Sequence, residues 1–124
     1  MIFAAGLGTR LRPLTDTMPK ALVPVAGKPL LDIVVERLLS QGYDLFVVNV
    51  HHFADQIIQH VSEAPYAPLV HVSDERALLL ETGGGLKMAE GLFLPEQPIL
   101  IHNVDILDNV DYRWFARQHL ADED

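Results

Sequence analysis

Gly6 and Gly8, followed by Arg10, Arg12 and Lys20, are the residues of this 124-residue chain whose types and spacing point to chemistry. The stretch runs Ala4-Ala5-Gly6-Leu7-Gly8-Thr9-Arg10-Leu11-Arg12-Pro13-Leu14-Thr15 and continues Met18-Pro19-Lys20-Ala21-Leu22-Val23-Pro24-Val25. Glycine lets the backbone turn sharply, tolerates positive φ and allows close approach to a ligand. Successive N–H groups in such a turn form a concavity that holds anions. Three cations on one loop suit a polyphosphate, with guanidinium groups spanning several oxygens and a lysine acting as a point charge. Pro13, Pro19 and Pro24 stiffen the segment. The chemistry indicated is the binding of a nucleoside triphosphate.

Two familiar glycine loops do not fit. A dinucleotide fingerprint needs G-x-G-x-x-G, and the third position after Gly8 is Leu11. A P-loop needs G-x-x-x-x-G-K-[ST]; Gly27-Lys28 is followed by Pro29, and Leu22 stands where the first glycine belongs. The stretch instead meets every fixed position of G-x-G-T-R-[LM]-x-P-L-T followed by P-K-x-[LM]-x-P-[VI]. In this it resembles the sugar-1-phosphate nucleotidylyltransferases. The resemblance implies attack of a sugar-1-phosphate oxygen on the α-phosphate of a nucleoside triphosphate, giving a nucleotide sugar and pyrophosphate. It also implies that Arg10 and Lys20 are catalytic, and that Ala4, Ala5, Gly6, Gly8, Thr9 and Arg10 contact the nucleotide. For Arg12, a phosphate contact and a surface ion pair stand as equal alternatives.

Two later segments extend the resemblance. Glu81-Thr82-Gly83-Gly84-Gly85 resembles the second nucleotide-contacting segment of that family, which assigns Thr82 and Gly83 to the base. Three glycines would let backbone press against a flat ring, while a helix cap by Thr82 is the structural alternative. Asp105 resembles the family's Mg²⁺-binding aspartate, an ion commonly held by one or two carboxylates plus substrate phosphates. The family pattern there usually reads N-G-D; here Val104 stands at the glycine position, a β-branched residue that restricts backbone and fills space. The six histidines form no ligand spacing and are expected to be structural, with His102 nearest the metal strand end. The E-T-G-G-G segment is similar to members making GDP-mannose or UDP-N-acetylmuramic acid. Two rival functions are a nucleotide-binding regulatory module without catalysis and a cytidylyltransferase acting on phosphocholine.

The elements that must position these residues read as alternating strands and helices. An apolar strand at Met1–Ala5 precedes the glycines, and a helix from Leu30 to Gln41 carries its apolar residues at helical spacing. Strands are expected at Leu45–Val50, Leu69–Val72 and Ile99–His102. Helices are expected at Phe53–Ser62, from the glycines to about Glu90, and at Tyr112–Leu120 with Trp114 and Phe115 packed inward. Alternation of this kind implies crossovers, hence an α/β fold with a mostly parallel, Rossmann-like sheet covered by helices on both faces. Ligands then sit beyond the carboxyl ends of the strands.

Composition sets the bounds. An apolar fraction of 49% argues against disorder. Residues 1–40 carry five Lys/Arg against three Asp/Glu, whereas 41–124 carry four against fourteen. The positive excess thus coincides with the glycine loop, and the acidic remainder argues against a nucleic-acid surface. With no cysteine, no signal-like segment and no apolar run of membrane length, a cytoplasmic enzyme with no membrane partner is the default. A homo-oligomer stays open. The family is usually longer, so residues 1–124 are expected to be the nucleotide-binding part of a nucleotidyltransferase domain, its sugar-phosphate-binding part missing. Such a piece should expose apolar surface.

Overall fold

The computed structural model describes residues 1–121. Four parallel strands make the central sheet: β1 (Ile2–Phe3), β4 (Phe46–Val50), β5 (Val70–Asp74) and β6 (His102–Asn103), in the order β5-β4-β1-β6. Ile2 lies opposite Val48 on one side and His102 on the other. The chain therefore winds outward from β1 through β4 to β5, then returns to the far side of β1. That reversal places a switch point between β1 and β6, where an open sheet leaves a crevice beyond its carboxyl ends.

Side-chain alternation along the strands divides the core in two. Ile2, Ala4, Phe46, Val48 and Val50 face the larger cluster, with Leu31, Val34, Val35 and Leu38 of α1 (Leu30–Ser40) and Ile57 and Val61 of α2 (Ala54–Glu63). Met1, Phe3 and Val47 face the opposite way, against Leu86, Ala89 and Phe93 beside α3 (Thr82–Met88). Both faces of β4 are covered, which is why its five residues are all buried and its sequence is valine-rich and apolar but for Asn49.

Several boundaries differ from the sequence expectation. β6 is confined to His102–Asn103 rather than Ile99–His102, because its ladder partner β1 is itself two residues long. Phe53 sits at φ 50 before α2 instead of inside it. Pro29 precedes α1 and ends a hairpin that the pattern did not suggest, β2 (Pro24–Val25) with β3 (Lys28–Pro29). Its two loop residues, Ala26 and Gly27, both have positive φ, as a type I′ hairpin turn requires. The last helix, α4 (Tyr112–Ala121), docks through Tyr112, while Trp114 and Phe115 are half exposed rather than packed inward. Ile99, Ile101, Ile106, Leu107 and Val110 are also exposed, so the β6 side of the sheet carries an apolar surface.

What docks the chain between β6 and α4 is a polar clasp on α1. Arg37 donates to the side chain and carbonyl of Asp108 and to the Val110 carbonyl at 2.7 Å. The Tyr112 hydroxyl donates to Asp108, and Tyr43 donates to the Tyr112 carbonyl at 2.9 Å. Burial pushes the Asp108 carboxyl up, but Tyr112, the Val110 N–H and Arg37 outweigh it and hold the group at about 2. A carboxyl depressed in the folded state stabilises fully above its ordinary value of 3.8, and that contribution is lost as pH falls toward 2. Asp108→Asn should therefore be less stable than the parent at neutral pH and lose less on acidification between those values. Urea midpoints of both proteins across that range check it; parallel slopes would show that the clasp does not hold Asp108 ionised.

Candidate functional site

The loop that follows β1 is held by side chains, because beyond Phe3 the backbone leaves the sheet ladder. The Ala4 N–H donates to Asn49 Oδ1 at 2.7 Å. Gly8 adopts φ +67, and its carbonyl accepts the hydroxyl of buried Thr15 at 2.6 Å. His52 Nε2 in turn lies 3.0 Å from the Thr15 carbonyl. A Cβ on Gly8 would meet Thr15 Cγ2 at 2.7 Å, so glycine is required there by both conformation and space. Thr9, Arg10 and Leu11 form a single helical turn directly after it.

Three cations leave this loop with different fates. Arg10 is exposed and makes no ion pair among the described residues. Arg12 pairs with Asp16 at 3.7 Å on the open surface. Lys20 is mostly buried and reaches across the switch point: its Nζ lies 3.5 Å from Asp105 Oδ2 and 3.3 Å from where a Cβ on Gly6 would stand. Glycine at position 6 thus leaves the ammonium room against the backbone. The sheet brings Ala4–Gly8, Lys20 and Asp105 together, although they are distant in sequence.

Val104 donates its N–H to the Phe3 carbonyl at 3.1 Å and buries its side chain completely in the larger core. The β-branched residue fills the space beneath the loop, and Asp105 turns outward with its carboxylate 40% exposed. That donor set is one open carboxylate beside a lysine, and no group of three or more ligating side chains exists among the described residues. It suits a cation held between one carboxylate and ligand phosphates, not an all-protein cage.

At the second segment, Thr82 opens α3 and does not cap it; Glu81 is the capping position, without a side-chain bond. The Thr82 hydroxyl makes no hydrogen bond among the described residues, and nothing lies within 4 Å of a Cβ on Gly83. Gly85 is different, because it is buried and its Cβ would meet Glu75 Oε1 at 2.6 Å. The third glycine therefore serves packing against the protein rather than approach to a base.

Four of the six histidines, His51, His52, His60 and His102, hold structure, whereas His71 is exposed on β5. His51 Nδ1 lies 2.7 Å from the Glu75 carbonyl, His60 pairs with Asp32 at 2.7 Å, and His102 Nδ1 lies 2.6 Å from the Asn103 carbonyl. The part played by Asn49 is not among the sequence expectations. Asn49 carries a usable signal, a lone amide inside the apolar run Phe46–Val50.

A family model described as nucleotidyl transferase matches residues 1–124. The N-acetylmuramate alpha-1-phosphate uridylyltransferase of Caulobacter vibrioides is 52% identical over 85% of this chain and 44% of its own length. The enzyme of the same name from Neisseria meningitidis is 42% identical over 90% and 48%. The crystal structure of HddC from Yersinia pseudotuberculosis complexed with GMP-PN superposes with a TM-score of 0.83 at 32% identity, covering 96% of this chain and 52% of that one. The chain thus spans about half the length of these relatives.

Gly8 and Gly27 both hold left-handed backbone, but only Gly8 is crowded. Gly27→Ala should cost the backbone term alone, about 1–2 kcal/mol. Gly8→Ala should cost clearly more, because Thr15 must also move. Urea denaturation of the two variants checks the difference; equal losses would mean that Thr15 does not fix the loop.

Proposed function

Since the chain belongs to the nucleotidyl transferase family, we propose that its residues 1–124 form the nucleotide-binding part of a sugar-1-phosphate nucleotidylyltransferase. The observation that carries this reading is the Lys20–Asp105 pair at the switch point, in front of the Gly6–Gly8 turn. An ammonium and a carboxylate 3.5 Å apart at an anion-binding turn are arranged to receive a phosphate and its counter-cation together.

In the proposed reaction a phosphate oxygen of the sugar 1-phosphate attacks the α-phosphorus of the nucleoside triphosphate. The bond from that phosphorus to the bridging oxygen breaks, and its electron pair leaves with pyrophosphate. No protein nucleophile is needed, so catalysis rests on positioning and on stabilising charge at the α-phosphate. Lys20 supplies a point charge from a partly buried position, and Arg10 a planar guanidinium with no ion-pair partner among the described residues. Amides of Ala5 to Thr9 line the phosphate turn beyond Ala4, whose own N–H is bonded to Asn49, and Thr82 and Gly83 offer a hydroxyl and open backbone to the base. Asp105 would hold Mg²⁺, which when bound neutralises phosphate charge.

The nucleotide is proposed to be UTP and the acceptor N-acetylmuramate 1-phosphate. The support is the 52% and 42% identity to uridylyltransferases, against 32% to a putative mannose-1-phosphate guanyltransferase of Sulfolobus acidocaldarius. The acceptor phosphate needs cations of its own. After Asp105 the chain has only Arg113 and Arg117, and both sit beside Asp111.

Binding of UTP, GTP, CTP and ATP to the chain in Mg²⁺ tests the reading, followed by pyrophosphate release with N-acetylmuramate, mannose and glucose 1-phosphates and with phosphocholine. UTP should bind best, Lys20→Ala should abolish the binding, and the chain alone should release no pyrophosphate. Nucleotide affinity unaffected by Lys20→Ala would overturn the assignment. In a chain of the relatives' length, Arg10→Ala should lower kcat by about 10²–10³ with a smaller change in nucleotide affinity. Near-normal turnover would remove Arg10 from the catalytic set.

A further inference from the structure

Glu75 is 1% exposed and has no cationic partner among the groups that touch it. A carboxylate taken out of water without a countercharge is costly unless hydrogen bonds satisfy it. Its Oε1 accepts from Asn49 Nδ2 at 3.1 Å, and its Oε2 from the Leu80 N–H at 3.4 Å. Its main chain is fastened to the end of β4, the N–H to the Val50 carbonyl at 2.7 Å and the carbonyl to His51. Gly85 closes over the pair, with no room for a Cβ between Glu75 Oε1 and Asn49 Nδ2.

The arrangement is a chain with donors at both ends. The Ala4 N–H donates to Asn49 Oδ1; Asn49 then has only its NH₂ to offer onward; the Leu80 N–H arrives from the other side. Only a side chain that accepts on both of its terminal oxygens completes it, and Glu75 does so. Ala4 begins the phosphate turn, and Leu80 leads into Thr82 and Gly83.

We infer that Glu75 is a positioning residue for base selection: through Asn49 and Leu80 it fixes the two backbone segments between which the base lies. The inference rests on the nucleotide site proposed above, but the coupling of Ala4 to Leu80 does not. Glutamine at position 75 keeps the shape and breaks the parity. Its amide can satisfy Asn49 or Leu80 but not both, so one segment is released.

The closing experiment compares Glu75→Gln, Asn49→Asp and the double variant with the parent. Asn49→Asp alone sets two carboxylates face to face. Combined with Glu75→Gln it accepts from both Ala4 and the glutamine NH₂, which frees the glutamine oxygen for Leu80 and restores every bond. Each single variant should raise amide exchange at Ala4, Leu80 or both, and reduce the ratio of affinities for the best and worst of the four nucleoside triphosphates about tenfold. The double variant should recover both. Unchanged exchange and unchanged base preference in Glu75→Gln would overturn the inference, as would a fall in melting temperature with the affinity ratio intact, or a double variant no better than the singles. If Glu75→Gln does not fold, a folded double variant with the parental ratio supports the inference and an unfolded one overturns it. If the parent binds none of the nucleotides, the nucleotide reading fails, and amide exchange alone decides whether Glu75 couples the two segments.

Discussion

The Ala4 N–H bonded to the Asn49 side chain is the contact on which the rest of the site depends. A parallel strand that ends in a ligand loop must leave its ladder, and each buried N–H that leaves needs a new acceptor. Asn49 supplies one from the neighbouring strand at the same level of the sheet, since Phe3 and Asn49 are in register. The turn through Gly6 and Gly8 then starts from a fixed direction. Thr15 and His52 fasten its far end, and Lys20 returns over Gly6 to meet Asp105. The cost of a mobile glycine loop is met by side chains lying elsewhere in the sequence.

Topology explains why so few residues suffice. Because β1 lies between β4 and β6, its carboxyl end adjoins those of both neighbours. Asn49 comes from one side and Asp105 from the other. Val104 keeps Asp105 at the surface by filling the core beneath it. A valine at this position is compatible with an outward carboxylate because its own side chain packs into the larger core.

Much of this was legible in the sequence, for reasons that particular elements make clear. β4 reads as a buried strand because both its faces are covered, and α1 and α2 because each buries one stripe. The glycine–arginine–lysine spacing carried the loop. What was not legible depended on partners distant in the chain. β6 is short because β1 is short, which no local pattern in Ile99–His102 reveals. Trp114 and Phe115 lie on a helix as expected but stay about half exposed within residues 1–121, with Phe115 edge-on to the Tyr112 ring. Gly85 reads as one of three equivalent glycines until Glu75 is seen beneath it. Asn49 and Glu75 look like isolated polar residues, and only the parallel register makes them one network.

In the proposed site Ala5–Thr9, Lys20 and Asp105 cradle the triphosphate, Ala4 is held by Asn49, and Thr82 and Gly83 receive the base. A crystal structure of the chain with a non-transferable UTP analogue and Mg²⁺ tests it most directly. Phosphate oxygens are expected on the amides of the Gly6–Gly8 turn and on Lys20, the metal on Asp105, and the uracil edge at Thr82. An analogue bound elsewhere, or bound with Lys20 still paired to Asp105 and no phosphate between the turn and the lysine, would contradict it.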